Sequence, residues 1–271
     1  MLTETQVSQY LARIGFDGSV VANLDTLRAL HKAHMHHVPF ENLSIHIGEA
    51  ISLDLDDVFH KLVVQRRGGF CYELNSLFHA LLCTLGFKVK ILSGQVFNGE
   101  TYSAPFSHLL LLLDIAGQQL IADVGYGDSF TEGLPLDGTP MERLGTWHKV
   151  ERQGETFTLM QDKGAEGYKA QYRFTLATYD IDAFKDRCHF QQSSPDSPFT
   201  QRSICTIATD DGRNSISSNR FIQTVRGVRS ERTIEHAPEL KQLLLEYFGI
   251  RLADDAPLDN LLALAGVFRR L

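Results

Sequence analysis

The chain has 271 residues, of which 43% are hydrophobic and 22% charged, with a formal net charge of −7. This is enough apolar material for one large domain or two to three small ones, and it excludes a disordered chain. The acidic balance argues against nucleic acid, which is bound by clustered Lys and Arg, and no apolar run approaches the roughly 18 residues that a membrane helix needs.

The start, Met-Leu-Thr-Glu-Thr-Gln, lacks the basic and apolar stretches of a secretion signal. Cys71, Cys83, Cys188 and Cys205 form no Cys-x-x-Cys pair. The expectation is a cytoplasmic protein with free thiols and no membrane or nucleic-acid partner. Nothing in the sequence specifies its oligomeric state.

The first part of the chain reads as helical. Leu24, Leu27 and Leu30 recur at helical spacing behind Asn23 or Asp25 as N-cap, and Pro39 ends the run near Val38. A second helix begins in the acids Asp54 to Asp57 and carries Val58, Phe59, Leu62 and Val63 until Arg66-Arg67-Gly68-Gly69 stops it. A third, 71–85, shows Leu74, Leu77, Phe78, Leu81, Leu82 and Leu85 at steps of three and four, with Gly86 as its stop.

The pattern then turns to strands. Residues 88–91 alternate, 107–114 form a continuous apolar strand, Gly117-Gln118 is the expected turn and 119–124 the return. Strands over 156–160 and 168–175 follow, then a short helix at 180–184. The Ser- and Pro-rich segment 193–198 is the best linker candidate. Beyond it come strands at 204–208 and 221–225, a helix with Pro238 in its first turn and Gly249 as its stop, and a last helix over 258–271.

The chemistry concentrates in Arg66-Arg67-Gly68-Gly69-Phe70-Cys71-Tyr72-Glu73-Leu74-Asn75. Two glycines permit close backbone approach, and a thiol then stands in the first turn of an amphipathic helix. There the open N–H groups and the helix dipole favour an anion. Arg66 and Arg67 add positive potential. The alternative for Cys71 is a small buried hydrophobe, the reading that fits Cys83, Cys188 and Cys205. A thiol nucleophile needs a base, and the base an orienting group. His108 opens the leucine strand and Asp123 ends the next one, so a hairpin brings them together if a bulge or longer turn offsets their unequal distances from Gly117. Taken singly, His108 is also explained as a satisfied strand-end histidine and Asp123 as a turn acid. His31, His34, His36 and His37 lack the acid or thiol that would complete a metal site, so no metal is expected.

Four segments together resemble the arylamine N-acetyltransferase family: Val38-Pro39-Phe40-Glu41-Asn42-Leu43, Arg67-Gly68-Gly69-Phe70-Cys71-Tyr72-Glu73-Leu74-Asn75, Ser107-His108-Leu109-Leu110-Leu111 and Asp123-Val124-Gly125-Tyr126-Gly127. Their order and spacing match the family, and the length is similar to that of its bacterial members, including N-hydroxyarylamine O-acetyltransferases. The family often has Tyr-Cys-Phe at Phe70-Cys71-Tyr72 and Phe at Tyr126.

The resemblance implies an α+β fold of three parts: a helical bundle (1–87), an antiparallel β-barrel (88–192) and an α/β lid (193–271). It implies a papain-like triad of Cys71, His108 and Asp123. Acetyl-CoA is the implied co-substrate, and an arylamine, arylhydrazine or N-hydroxyarylamine the acceptor. Gly125 and Gly127 would admit the pantetheine arm, Phe40 and Tyr126 would wall the acceptor, and Glu41 would pair with Arg67 or Arg66 to prop the Cys71 loop. The rival readings are a cysteine hydrolase or transglutaminase-like enzyme with the same triad, and a non-catalytic binding protein on the same fold.

Overall fold

The structure, a computed structural model, describes residues 1–164 and 166–263. Helices α1 (Glu4–Arg13) and α2 (Leu24–His37) are followed by the two-residue strand β1 (Phe40–Glu41) and α3 (Leu43–Ile47). Helix α4 (Leu55–Phe59) widens into a π turn at His60–Val64 before α5 (Cys71–Thr84). The caps follow local chemistry. Asn23 accepts the Thr26 N–H at 2.9 Å, and Asp54 accepts that of Asp56 at 2.9 Å. Thr3 and Gln6 cap helix α1 reciprocally.

Eight strands follow in one antiparallel sheet: β2 (Lys88–Val96), β3 (His108–Ile115), β4 (Gln118–Ala122), β5 (Leu134–Pro135), β6 (Met141–Arg143), β7 (Thr146–Gln153), β8 (Thr156–Asp162) and β9 (Lys169–Tyr179). Their order, β5-β4-β3-β2-β9-β8-β7-β6, curls into a nearly closed barrel. The leucine strand β3 is buried on both faces, which explains its unbroken apolar run. Leu110 and Leu112 point into the barrel core with Leu92, Leu159 and Tyr172, whereas Leu109, Leu111 and Leu113 pack on the helical core with Leu74, Leu77 and Leu81 of α5.

A single helical turn at Ile181–Phe184 leads into α6 (Lys185–Ser193) and α7 (Pro198–Gln201). Between them the expected linker is tied down: Ser197 is buried and donates to the Gln191 carbonyl at 2.8 Å. The last part is a second sheet with α8 (Ala237–Phe248) and α9 (Leu258–Ala263). Its strands are β10 (Ile204–Thr209), β11 (Gly212–Ser217), β12 (Arg220–Val225) and β13 (Val228–Thr233). The remainder of the helix expected over 258–271 lies outside the described residues. Leu240, Leu243, Leu244 and Phe248 of α8 cover Cys205, Ile207, Ile216 and Phe221 of the sheet.

Two features place the site. First, β1 is the edge strand of the C-terminal sheet, pairing Phe40 with Thr206 and Glu41 with Cys205. On its other side it bridges Gly69, with Glu41 N–H donating to the Gly69 carbonyl at 2.8 Å. Secondly, the β3–β4 hairpin turns on Ala116-Gly117, both with positive φ (54° and 84°), in register Ile115↔Gln118. The expected turn at Gly117-Gln118 is thus displaced by one residue, and no bulge or longer loop is present.

At Gly68 an added Cβ would overlap the Pro39 carbonyl oxygen and press on Glu41. Gly68→Ala should therefore destabilise the protein by about 1–3 kcal/mol, the range for overpacking. Urea denaturation checks this; a variant as stable as wild type would contradict so close an approach of β1 to the Cys71 loop.

Candidate active site

Cys71 occupies the first position of α5 and is buried at 3% exposure. The helix start is held by Glu73, whose Oε2 accepts the Phe70 N–H at 3.1 Å while Oε1 pairs with Lys61 Nζ at 2.7 Å. A Cβ at Gly69 would lie 2.7 Å from that Glu73 oxygen, so this position also has no room for a side chain. The N–H groups of Cys71 and Tyr72 stand in the first turn, where an α-helix offers no intrahelical acceptor.

Glu41 and Arg67 meet as a buried ion pair, with Oε1 3.1 Å from Nε and 3.0 Å from Nη2. Glu41 Oε2 accepts the Leu43 N–H at 2.6 Å, and Arg67 extends to Glu49 at 3.1 Å. Burial raises the Glu41 carboxyl, but the charges of Arg67 and Lys61 reverse this and hold it below its ordinary value. Of the two arginines offered by the sequence, Arg67 makes this pair, and Glu41 and Glu49 balance its charge in place. The positive potential expected of it at Cys71 is therefore neutralised.

His108 Nε2 is 2.7 Å from Asp123 Oδ2. With Nε2 taken by Asp123, Nδ1 is the nitrogen left for the Cys71 thiol. Burial alone would lower this imidazole, but the Asp123 charge, the hydrogen bond to Asp123 and the neighbouring Cys71 thiol hold it up at about 10. Asp123 is likewise opposed by burial, and the His108 charge with hydrogen bonds from His108, Asn75 and Gly125 keeps it below the usual carboxylate range. Asp123 does not face His108 as a strand partner. It stands just past the end of β4, and the side chains close the gap.

Asn75 and His31, to which the sequence assigns no part in the triad, complete this arrangement. Asn75, one turn along α5 from Cys71, donates to Asp123 Oδ1 at 2.9 Å and to the Leu109 carbonyl at 2.7 Å. Its Oδ1 accepts the Val124 N–H at 3.0 Å. His31 Nε2 accepts the Asp123 N–H at 3.0 Å. Burial pushes His31 down to about 4 despite the Asp123 charge, so it is a neutral acceptor at neutral pH. The i, i+4 spacing of Asn75 from Cys71 was a usable signal; nothing local pointed to His31.

The Phe106 backbone is left-handed at φ 61°, a conformation that costs a bulky residue about 1–2 kcal/mol. Its carbonyl accepts the Tyr72 hydroxyl at 2.8 Å, and its N–H donates to Ser93 Oγ at 2.8 Å.

Aromatic rings surround the centre. Tyr126 lies 5.4 Å and Tyr172 4.9 Å from the His108 ring. Phe40 is half-buried and lies 6.2 Å from Phe199, which also meets Phe70 at 5.9 Å. The glycines expected to admit a ligand are occupied on their side-chain faces by protein. A Cβ at Gly125 would lie 2.6 Å from Cys71 Cα, and one at Gly127 would lie 3.0 Å from Thr206. Among the described residues no cluster of three or more His, Cys, Asp or Glu could hold a metal. His34 instead meets Tyr10 at 2.6 Å, and His37 the Ala33 carbonyl at 2.8 Å. The four cysteines are unpaired, and burial pushes the Cys188 thiol up to about 12 and that of Cys205 well above its ordinary value.

A buried thiol, imidazole and carboxylate, with first-turn N–H groups and aromatic rings around them, can perform acyl transfer through a thioester. Comparison with known proteins points to the same class. Residues 23–256 match the N-acetyltransferase family model. Arylamine N-acetyltransferase 1 of Bos taurus is 35% identical over 76% of this chain and 79% of its own. The arylamine N-acetyltransferase structure from Salmonella typhimurium superposes with a TM-score of 0.88 at 28% identity, covering 97% of this chain and 98% of that one. The Mycobacterium marinum arylamine N-acetyltransferase in complex with CoA gives 0.86 at 28% identity, over 95% and 97%. The chain belongs to the arylamine N-acetyltransferase family.

The His108–Asp123 pair ties stability to pH. His108 binds its proton more tightly when folded, at about 10, than in an unfolded chain at about 6.5. Its contribution is therefore complete below about 6.5 and is lost as pH rises towards 10. The lowered Asp123 acts in the opposite sense, its contribution being present at neutral pH and lost on acidification. Urea midpoints should fall between pH 6.5 and 10 in wild type, with a smaller fall in Asp123→Asn. Equal slopes would contradict a charged, buried pair.

Proposed function

We propose that this protein transfers acetyl groups from acetyl-CoA to arylamines by double displacement through an acetyl-Cys71 intermediate. The observation that carries the reading is the buried, hydrogen-bonded pair His108–Asp123 together with the buried Cys71 thiol in the first turn of α5. The Cys71 thiolate attacks the thioester carbonyl, and the Cys71 and Tyr72 N–H groups stabilise the oxyanion. The carbon–sulfur bond to CoA breaks, and His108 imidazolium protonates the departing thiolate. The amine then attacks acetyl-Cys71, His108 takes the amine proton, and the amide leaves with Cys71 free again. Asp123 keeps the imidazole in the orientation that serves both steps.

The CoA-bound relative supports the donor. For the acceptor, Phe40, Tyr126 and Phe199 offer flat apolar walls, which suits arylamines, arylhydrazines and N-hydroxyarylamines alike. Burial and the charges of Asp128 and Asp123 push the Tyr126 phenol up, so it stays a hydroxyl donor. Because the side-chain faces of Gly125 and Gly127 are filled, the pantetheine arm would meet that segment through its backbone. Glu41 and Arg67 act as structural support for the Cys71 loop. Free thiols, and the absence of any helix among the described residues long and apolar enough to cross a membrane, support a cytoplasmic setting.

Cys71→Ser should lower transfer by more than about a thousandfold with the fold intact, because an alkoxide forms far less readily than a thiolate. Cys83→Ser, Cys188→Ser and Cys205→Ser should stay active. Initial rates with both substrates varied should give parallel double-reciprocal lines. Intersecting lines, or an active Cys71→Ser, would rule out the acetyl-enzyme.

A further inference from the structure

We infer that the Tyr72 hydroxyl is a positioning group that fixes His108 against Cys71 by holding the strained Phe106 peptide. The inference rests on the roles proposed above for Cys71 and His108. Tyr72 follows the nucleophile directly, and Phe106 precedes the base by two residues. The 2.8 Å hydrogen bond from Tyr72 Oη to the Phe106 carbonyl is therefore a short side-chain link between the helix that carries the thiol and the loop that delivers the imidazole.

The loop needs such a link. Phe106 stands at φ 61°, where a side chain disfavours the backbone, so without restraint the segment would relax towards negative φ. That relaxation would rotate the chain as it enters β3, where His108 is the first residue. The restraint comes from both sides of Phe106. The β2 residue Ser93 accepts its N–H at 2.8 Å, and the α5 residue Tyr72 donates to its carbonyl. The ring is wedged edge-on against Tyr179 at 4.9 Å and Phe184 at 5.3 Å. Ser107 is held in the same way, donating to the Ala104 carbonyl at 2.7 Å and accepting from Arg187 at 3.0 Å.

Tyr72 is itself immobile, with 0% exposure and rings of Phe70 at 5.0 Å and Phe184 at 5.8 Å around it. Burial and the neighbouring thiols Cys71 and Cys188 push its phenol well up, so it remains a neutral donor across the working pH range. Around His108 the titratable groups are Asp123, Cys71, Tyr126 and Tyr172. Tyr72 acts on His108 only through the backbone, which makes it a positioning residue.

Tyr72→Phe keeps the ring and the backbone N–H and removes only the donor. The test follows alkylation of Cys71 by iodoacetamide from pH 5 to 10 by site-specific mass spectrometry, with acetyl-transfer rates and melting temperatures on the same preparations. His108→Ala should move the acid limb of that profile upward from its wild-type position. Tyr72→Phe should move the acid limb upward by about one pH unit and slow transfer about tenfold. Ser93→Ala, which frees the other side of Phe106, should act in the same direction. A hydroxyl that serves stability alone would lower the melting temperature and leave the limb in place. If Tyr72→Phe and Ser93→Ala both keep the wild-type limb and rate while His108→Ala does not, the positioning role is wrong and the catalytic reading stands. If wild type and His108→Ala alkylate alike, both are overturned.

Discussion

The site is organised around one buried carboxylate. Asp123 is 0% exposed, and an ionised acid in that position is tolerable only if its oxygens are satisfied. The satisfaction comes from separate pieces of chain: His108 at the start of β3, Asn75 in α5 and the N–H of Gly125 in its own loop. His31 of α2 accepts the Asp123 backbone N–H and fixes the residue from the other side. The carboxylate is therefore a point where the helical core and the barrel must agree in position to within hydrogen-bond tolerance. Removing any one donor leaves part of a buried charge exposed to low-dielectric surroundings, which is far more costly than the net value of one hydrogen bond.

A second buried pair does comparable work on the other side of the thiol. Glu41–Arg67 contributes little net stability by itself, because desolvation offsets most of the Coulombic gain. Its value is positional. Glu41 lies in β1, which is at once an edge strand of the C-terminal sheet and a bridge to Gly69. The ion pair thus locks the loop before Cys71 to the C-terminal sheet, and Gly68 allows the two backbones to approach that closely. Lys61–Glu73 adds a third restraint at the helix start itself. The thiol is consequently held by packing and ion pairs that do not touch it, which leaves its own surface for the reaction proposed.

The legible parts of this molecule were those written in local pattern. The stripe in α5, the run of leucines in β3, Asn23, Asp54 and Gly249 each act through neighbours a few residues away, so periodicity and capping chemistry located those elements. Strands β5 and β6 were invisible because two or three residues carry no period, and β13, Val-Arg-Ser-Glu-Arg-Thr, because it is exposed along its whole length. At the site, Cys71, His108 and Asp123 could be nominated from residue type and strand position. The hairpin arithmetic failed by one residue because Ala116 adopts positive φ, which an alanine does not advertise. The partners of Asn75, His31 and Tyr72 are not legible in the sequence, since they lie 34 to 92 positions away.

Asp123 keeps His108 as a buried imidazolium at neutral pH, ready to stand beside a thiolate and to give its proton to a leaving group. Titration of the His108 ring by NMR, in protein labelled at histidine, tests it most directly. The midpoint should lie near 10 in wild type and fall far in Asp123→Asn. A wild-type midpoint at or below the roughly 6.5 of an unperturbed histidine would contradict it.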